Sequence, residues 1–220
     1  MRLLLVRHGE ATWNSEGRYQ GRLDPPLSDL GERQARAVSE RLARENVPTA
    51  VFSSPLTRSR RTAEIILAKL ATIATQPLEL SLDERLIEIS HGAWQGLVKD
   101  EIERRWPAML ANWRTKPESV TFPGGESLAD VLRRWRSFLE ATLEIESTSA
   151  SALVIVTHDV IIRLAVLDAR QKPLSDFSTL QIDNGSITTV EFDRGEGFVR
   201  RLNDVSHLGL LRSDLAAQAL

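Results

Sequence analysis

Two apolar tetrapeptides, Leu3-Leu4-Leu5-Val6 and Leu153-Val154-Ile155-Val156, run without a polar break, and each ends two residues before a histidine, His8 and His158. A continuous run of this length is the pattern of a strand buried on both faces, which a sheet covered by helices on either side provides. In such sheets, side chains from separate segments converge beyond the carboxyl ends of the strands. If the two strands are neighbours, both imidazoles share one pocket.

The intervening segments fit that architecture. Ser28 is a suitable N-cap for a helix carrying Ala35, Val38 and Leu42 at helical spacing, and Ala50-Val51-Phe52 reads as another strand. Residues 56–70 are helical in pattern, 78–82 alternate like a strand, and Ile161, Ile162 and Leu164 mark a helix behind the second apolar run. Strands alternating with helices predict an α/β chain: one domain over 1–220, with a mainly parallel sheet covered on both faces. Residues 97–148 lack a strand signal and predict two helical pieces joined by a loop near Pro117 and Pro123-Gly124-Gly125. Residues 186–192 and 198–202 flank Asp193-Arg194-Gly195-Glu196-Gly197 like a hairpin.

Composition narrows the chemistry. The 28 basic and 30 acidic residues nearly cancel, so no net field draws the chain to nucleic acid or an anionic membrane, and any anion site must be local. The absence of cysteine excludes disulfides, thiolate zinc sites and cysteine-nucleophile phosphatases. No His-Glu-x-x-His run, EF-hand loop or Gly-Lys-Ser/Thr loop occurs, so metal-free chemistry is expected. The apolar run at 3–6 is too short for a signal-peptide core, and the cytoplasm is the default location.

Arg7 precedes His8, and Arg58 follows the strand at 50–53, so two guanidinium forks are expected at one place. Gly9 is expected to let backbone approach a ligand, and Asn14 to add an uncharged donor. A neutral imidazole is a competent nucleophile towards phosphorus, and the leaving alkoxide needs a proton, for which Glu84 and Glu88 are the local carboxyl groups. His91 and His207 read as structural or surface residues, and the tryptophans as core.

Leu5-Val6-Arg7-His8-Gly9-Glu10-Ala11-Thr12-Trp13-Asn14 resembles the signature of the histidine phosphatase superfamily, which includes the cofactor-dependent phosphoglycerate mutases. The likeness continues through 20–28, 54–63, 86–96, 122–127 and 156–159 and ends near Leu208. Ser59 stands where alanine is more common and is not expected to touch catalysis. Asp159 stands where glycine is common and is a candidate for altering the pocket rim.

The resemblance implies a phosphoglycerate mutase-like fold and the following roles. His8 accepts the phosphoryl group, and Arg7, Arg58 and His158 hold it. Asn14, Gln20, Gly21 and Arg22 contact substrate, and Glu88 rather than Glu84 moves the proton. It implies a small phosphorylated molecule as partner and no cofactor for hydrolysis, and it leaves a homodimer open. Residues 97–125 would cover the site, and 209–220 would form a tail. A mutase using 2,3-bisphosphoglycerate is the competing activity, with a non-catalytic phospholigand-binding member as a third reading. Lys99, Arg104, Arg105, Arg114 and Lys116 would then bind a substrate carboxylate or second phosphate, against the simpler reading of helical surface charge.

Overall fold

The computed structural model describes residues 1–45, 48–145, 152–193 and 195–214. Six strands form one sheet: β1 (Arg2–Arg7), β2 (Ala50–Ser53), β3 (Leu80–Leu82), β4 (Ala152–Thr157), β5 (Ile187–Asp193) and β6 (Glu196–Asp204). Their order is β3-β2-β4-β1-β5-β6. The first four are parallel, and β5 and β6 add an antiparallel edge. The mainly parallel sheet expected from the apolar runs is therefore present.

Successive side chains of a strand point to opposite faces, and both faces of β1 are filled. Leu3 and Leu5 join one core cluster with Leu153, Ile155, Trp94, Trp135 and α6 (Asp159–Ala169). Leu4 and Val6 join the other with Val154, Val156, α1 (Asp29–Leu42) and α2 (Thr57–Leu70). Full burial of each such side chain stabilises by about 1.5–3 kcal/mol, which explains why these strands carry no polar residue between their ends.

The sheet register brings the histidines together. Arg7 pairs with Thr157 across β1 and β4, so the next residue of each strand is His8 and His158. Ser28 caps α1 as expected, its hydroxyl accepting from the Gly31 amide at 3.1 Å. The start of α2 is capped from a distance: Asp24 accepts from the Thr57 amide and hydroxyl, each at 2.7 Å.

Three expectations are corrected. The first helical piece of the 97–148 interval divides into α3 (Lys99–Arg105) and α4 (Pro107–Thr115), followed after a loop by α5 (Leu128–Ile145). Trp106 leaves helical geometry at φ −138 and ψ 57, and Pro107, which has no amide hydrogen, opens the next helix. Residues 209–214 do not trail away: Gln34 Nε2 donates to the Leu211 carbonyl at 2.7 Å, and Arg212 pairs with Asp183 at 3.0 Å. Gly9 serves chain packing, because a Cβ there would stand 2.4 Å from the Gly31 carbonyl oxygen of α1. Residues 146–148, Arg194 of the hairpin turn and 215–220 of the expected tail lie outside the described residues. Among the described residues no helix is long and apolar enough to cross a membrane.

Candidate active site

A cavity opens beyond the carboxyl ends of β1 and β4, and Arg7, His8, Asn14, Gln20, Gly21, Arg58 and Glu88 all line it. His8 is 3% exposed. Its Nδ1 lies 2.7 Å from the Gly9 carbonyl, which can only accept, so Nδ1 carries the hydrogen and Nε2 keeps its lone pair. Arg58 Nε donates to that Nε2 at 3.3 Å. Burial, then the charges of Arg58 and Arg7, holds the His8 imidazole well below its ordinary pKa, in the neutral form a nucleophile needs.

Arg58 is anchored at each nitrogen. Its Nη1 donates to the Leu23 carbonyl at 2.9 Å and its Nη2 to the Gly21 carbonyl at 2.8 Å. Gly21 adopts φ +51, and a Cβ there would press on the Gln95 side chain at 2.3 Å, so the turn that presents this carbonyl needs glycine. Burial lowers the Arg58 guanidinium to about 10, still charged at neutral pH. Arg7 reaches the Ile182 carbonyl through Nη1, and the same atom lies 4.0 Å from Asp159.

His158 packs edge-on against His8, with centroids 5.0 Å apart. It stands behind the cavity rather than in its lining. Its Nε2 is 2.8 Å from the Ser54 hydroxyl and 3.3 Å from that of Ser59. Ser59, expected to be remote from chemistry, thus touches this imidazole. Asn14 Oδ1 accepts from the Ala11 amide at 2.8 Å.

Glu88 is 8% exposed and accepts from the Ile89 amide at 2.9 Å. Burial, reinforced by the charge of Asp159, pushes its carboxyl up to about 7, although the Ile89 amide, Arg58 and Arg7 pull the other way. The group therefore exchanges its proton near neutral pH, as an acid and base in turn must. Glu84 is exposed and outside the lining, so geometry selects Glu88.

Other expected contacts fall elsewhere. Arg22 pairs with Glu126 at 3.0 Å and does not line the cavity; Glu126 is also held by Arg134 and accepts from the Ser90 amide. Lys99 and Arg114 are exposed and outside the lining, so the covering segment 97–125 contributes Trp113 to the wall but none of its cations. His91, read as structural or surface, does line the cavity, against Tyr19 and Phe122. Burial, then Arg58, pushes its imidazole down to about 3. Arg163 and Phe177 also form wall and were not singled out from sequence; the one signal was the i,i+4 spacing of Asp159 and Arg163. Among the described residues no group of three or more histidines or carboxylates is placed to hold a metal ion.

Comparison with known proteins shows the family and the fold. The sequence profile of the histidine phosphatase superfamily (branch 1) matches residues 3–205. The chain is 37% identical over 210 residues to phosphoserine phosphatase 1 of Hydrogenobacter thermophilus, covering 95% of each protein. It is 36% identical over 216 residues to phosphoglycerate mutase-like protein 4 of Arabidopsis thaliana, covering 96% of this chain and 90% of that one. Among solved structures, Bacillus stearothermophilus YhfR matches with a TM-score of 0.85 at 29% identity, over 94% of this chain and 98% of that one.

Proposed function

Because this chain belongs to the histidine phosphatase superfamily, we propose that it hydrolyses small phosphomonoesters without a metal, through a phosphohistidine on His8. The observation that carries this reading is the fixed tautomer of His8, whose Nε2 lone pair stands beside the Arg58 guanidinium in a cavity shared with Glu88.

Nε2 attacks phosphorus as the bond to the leaving oxygen breaks, and Glu88 gives its proton to that oxygen, releasing the alcohol. Water then attacks phosphorus, passes a proton to the Glu88 carboxylate, and displaces Nε2. Arg7 and Arg58 balance the charge on the phosphoryl oxygens in both steps. His158, behind the cavity, packs against the His8 ring, and its two serine contacts hold it there.

Hydrolysis is favoured over mutase chemistry by the likeness to a protein named phosphoserine phosphatase, 37% identical over 210 residues; the covering-segment cations Lys99 and Arg114 lie outside the cavity lining. The test is release of inorganic phosphate from a panel of monoesters in chelator, headed by phosphoserine, the substrate in the name of the Hydrogenobacter relative. Phosphate release insensitive to chelation is expected. A requirement for added metal, or 2-phosphoglycerate formed from 3-phosphoglycerate faster than free phosphate, would overturn the reading.

A further inference from the structure

Among the described residues, two that are not glycine have a positive φ, Gln171 and Asn203. Asn203, on β6, adopts φ +53, a left-handed conformation that asparagine tolerates better than most residues. It also sits in a bulge. Ile187 of β5 pairs with Asp204 and Thr189 with Arg201, so Thr188 alone faces both Leu202 and Asn203. A bulge of this kind bends its strand and re-aims a side chain out of the ladder. The Asn203 amide, out of regular pairing, donates to the Thr188 hydroxyl at 3.1 Å.

The re-aimed carboxamide grips Asp183 twice. Its Oδ1 accepts from the Asp183 amide at 2.7 Å, and its Nδ2 donates to Asp183 Oδ1 at 2.9 Å. Burial would raise the Asp183 carboxyl, but hydrogen bonds from Gln181, Asn203 and Arg212 outweigh it and hold the group below its ordinary range, ionised. An amide hydrogen only donates and a carboxylate only accepts, so the flipped carboxamide would oppose like with like at both contacts.

The Asp183 amide belongs to the same peptide unit as the Ile182 carbonyl, which is the acceptor for Arg7 Nη1. A trans peptide is planar, with its N–H and C=O pointing opposite ways, so fixing one fixes the other. The residues that follow hold the same strand end: the Gly185 amide donates to the Arg7 carbonyl at 3.1 Å, and Asn184 Nδ2 donates to the His8 carbonyl at 3.2 Å. Arg7 lines the cavity and Asn203 does not, so any influence of Asn203 on chemistry runs through this peptide.

Resting on the phosphatase reading above, we propose that Asn203 is a positioning residue: by clamping the 182–183 peptide from the side opposite Arg7, it holds the Arg7 guanidinium in the orientation that meets the phosphoryl group. The bulge and the left-handed backbone are what bring its carboxamide to that peptide.

A double-mutant cycle between Asn203 and Arg7 tests this. Asn203→Gly removes the carboxamide yet keeps the positive φ without steric cost. Two quantities are read: the Kd of inorganic phosphate by titration calorimetry, and kcat for a monoester that the panel above shows to be a substrate. With Arg7 present, Asn203→Gly is expected to lower kcat by about tenfold or more and to weaken phosphate binding, because a misplaced contact loses most of its effect. In the Arg7→Ala background the same substitution should change either quantity by less than about twofold, since groups that act as a unit are not additive. A merely structural role would give equal losses in both backgrounds. If Asn203→Gly does not fold, Asn203→Asp, which opposes two carboxylates, should show the loss. Adding Asp183→Asn, which restores a donor opposite an acceptor, should then recover most of it. Equal losses with and without Arg7, wild-type behaviour of Asn203→Gly, or no recovery in the exchanged pair overturns the proposal. Phosphate binding that follows the predicted cycle, with no monoester turned over, would sink the phosphatase reading alone. A wild-type chain that neither binds phosphate nor turns over a monoester overturns both.

Discussion

Arg58 Nε stands 3.3 Å from Nε2 of His8, while Nδ1 of the same ring is held 2.7 Å from the Gly9 carbonyl. One nitrogen is thereby committed to the backbone and the other faces the cavity beside a cation. All three Arg58 nitrogens have acceptors, at His8, Leu23 and Gly21, and a lysine ammonium cannot satisfy that fork. Both Arg58→Ala and Arg58→Lys are therefore expected to lower kcat by about a hundredfold or more. Steady-state kinetics on folded variants check this; near-normal turnover in Arg58→Lys would show that only charge matters.

The raised pKa of Glu88 sets a pH limit. As the acid for the leaving group it must be protonated, so kcat for an alkyl phosphate should fall as pH rises through about 7. Glu88→Gln should remove this alkaline limb and harm alkyl phosphates far more than an aryl phosphate with an acidic phenol. Equal losses on both substrates would contradict a proton-donor role.

Asp159 is the charged neighbour that raises Glu88, whereas Arg58 and Arg7 lower it. Asp159→Asn should therefore move the alkaline limb of kcat to lower pH. A limb that stays in place would show that burial alone sets the Glu88 pKa.

The same shift links stability to pH. A carboxyl whose folded pKa is raised from 4.5 to about 7 binds protons more readily in the native state, so its stabilisation is full below about 4.5 and is lost as pH rises through 7. The effect is on the order of 3 kcal/mol. Glu88→Gln, which cannot ionise, should unfold at a higher denaturant concentration than wild type at pH 8, with little difference at pH 4. Parallel denaturation curves at the two pH values would contradict this.

Gly9 gives a purely structural prediction. An added Cβ would meet backbone of α1 at 2.4 Å, with no flexible side chain to give way. Gly9→Ala is expected to cost about 1–3 kcal/mol in chemical denaturation. An unchanged midpoint would mean that β1 and α1 can separate freely.

The sheet and the residues gathered beyond its central strands were legible because their signals are local. Unbroken apolar runs mark the central strands, Arg7, His8 and His158 stand where those strands end, and Arg58 lies in the first turn of the helix after β2. Residues whose role depends on tertiary partners were not. Arg163 reads as helix surface charge until α6 is packed against Phe177, and His91 reads as structural or surface until Tyr19 and Phe122 enclose it at the cavity wall. Arg22 was assigned to substrate, yet Glu126, more than a hundred positions away in sequence, captures it. The break at Trp106 had a visible cause in Pro107, but a proline also tolerates the first turn of a helix, so its meaning depended on the geometry before it.

The proposed mechanism requires His8 to carry the phosphoryl group between substrate and water. It is tested most directly by mixing the chain with a radiolabelled phosphomonoester, quenching in alkali within one turnover, and mapping the label by proteolysis. Acid-labile, alkali-stable label on the peptide containing His8, formed and lost at least as fast as phosphate appears and absent in His8→Ala, is the predicted result. Phosphate released by the wild-type chain with no labelled peptide at any time, or label on a different residue, would contradict the account.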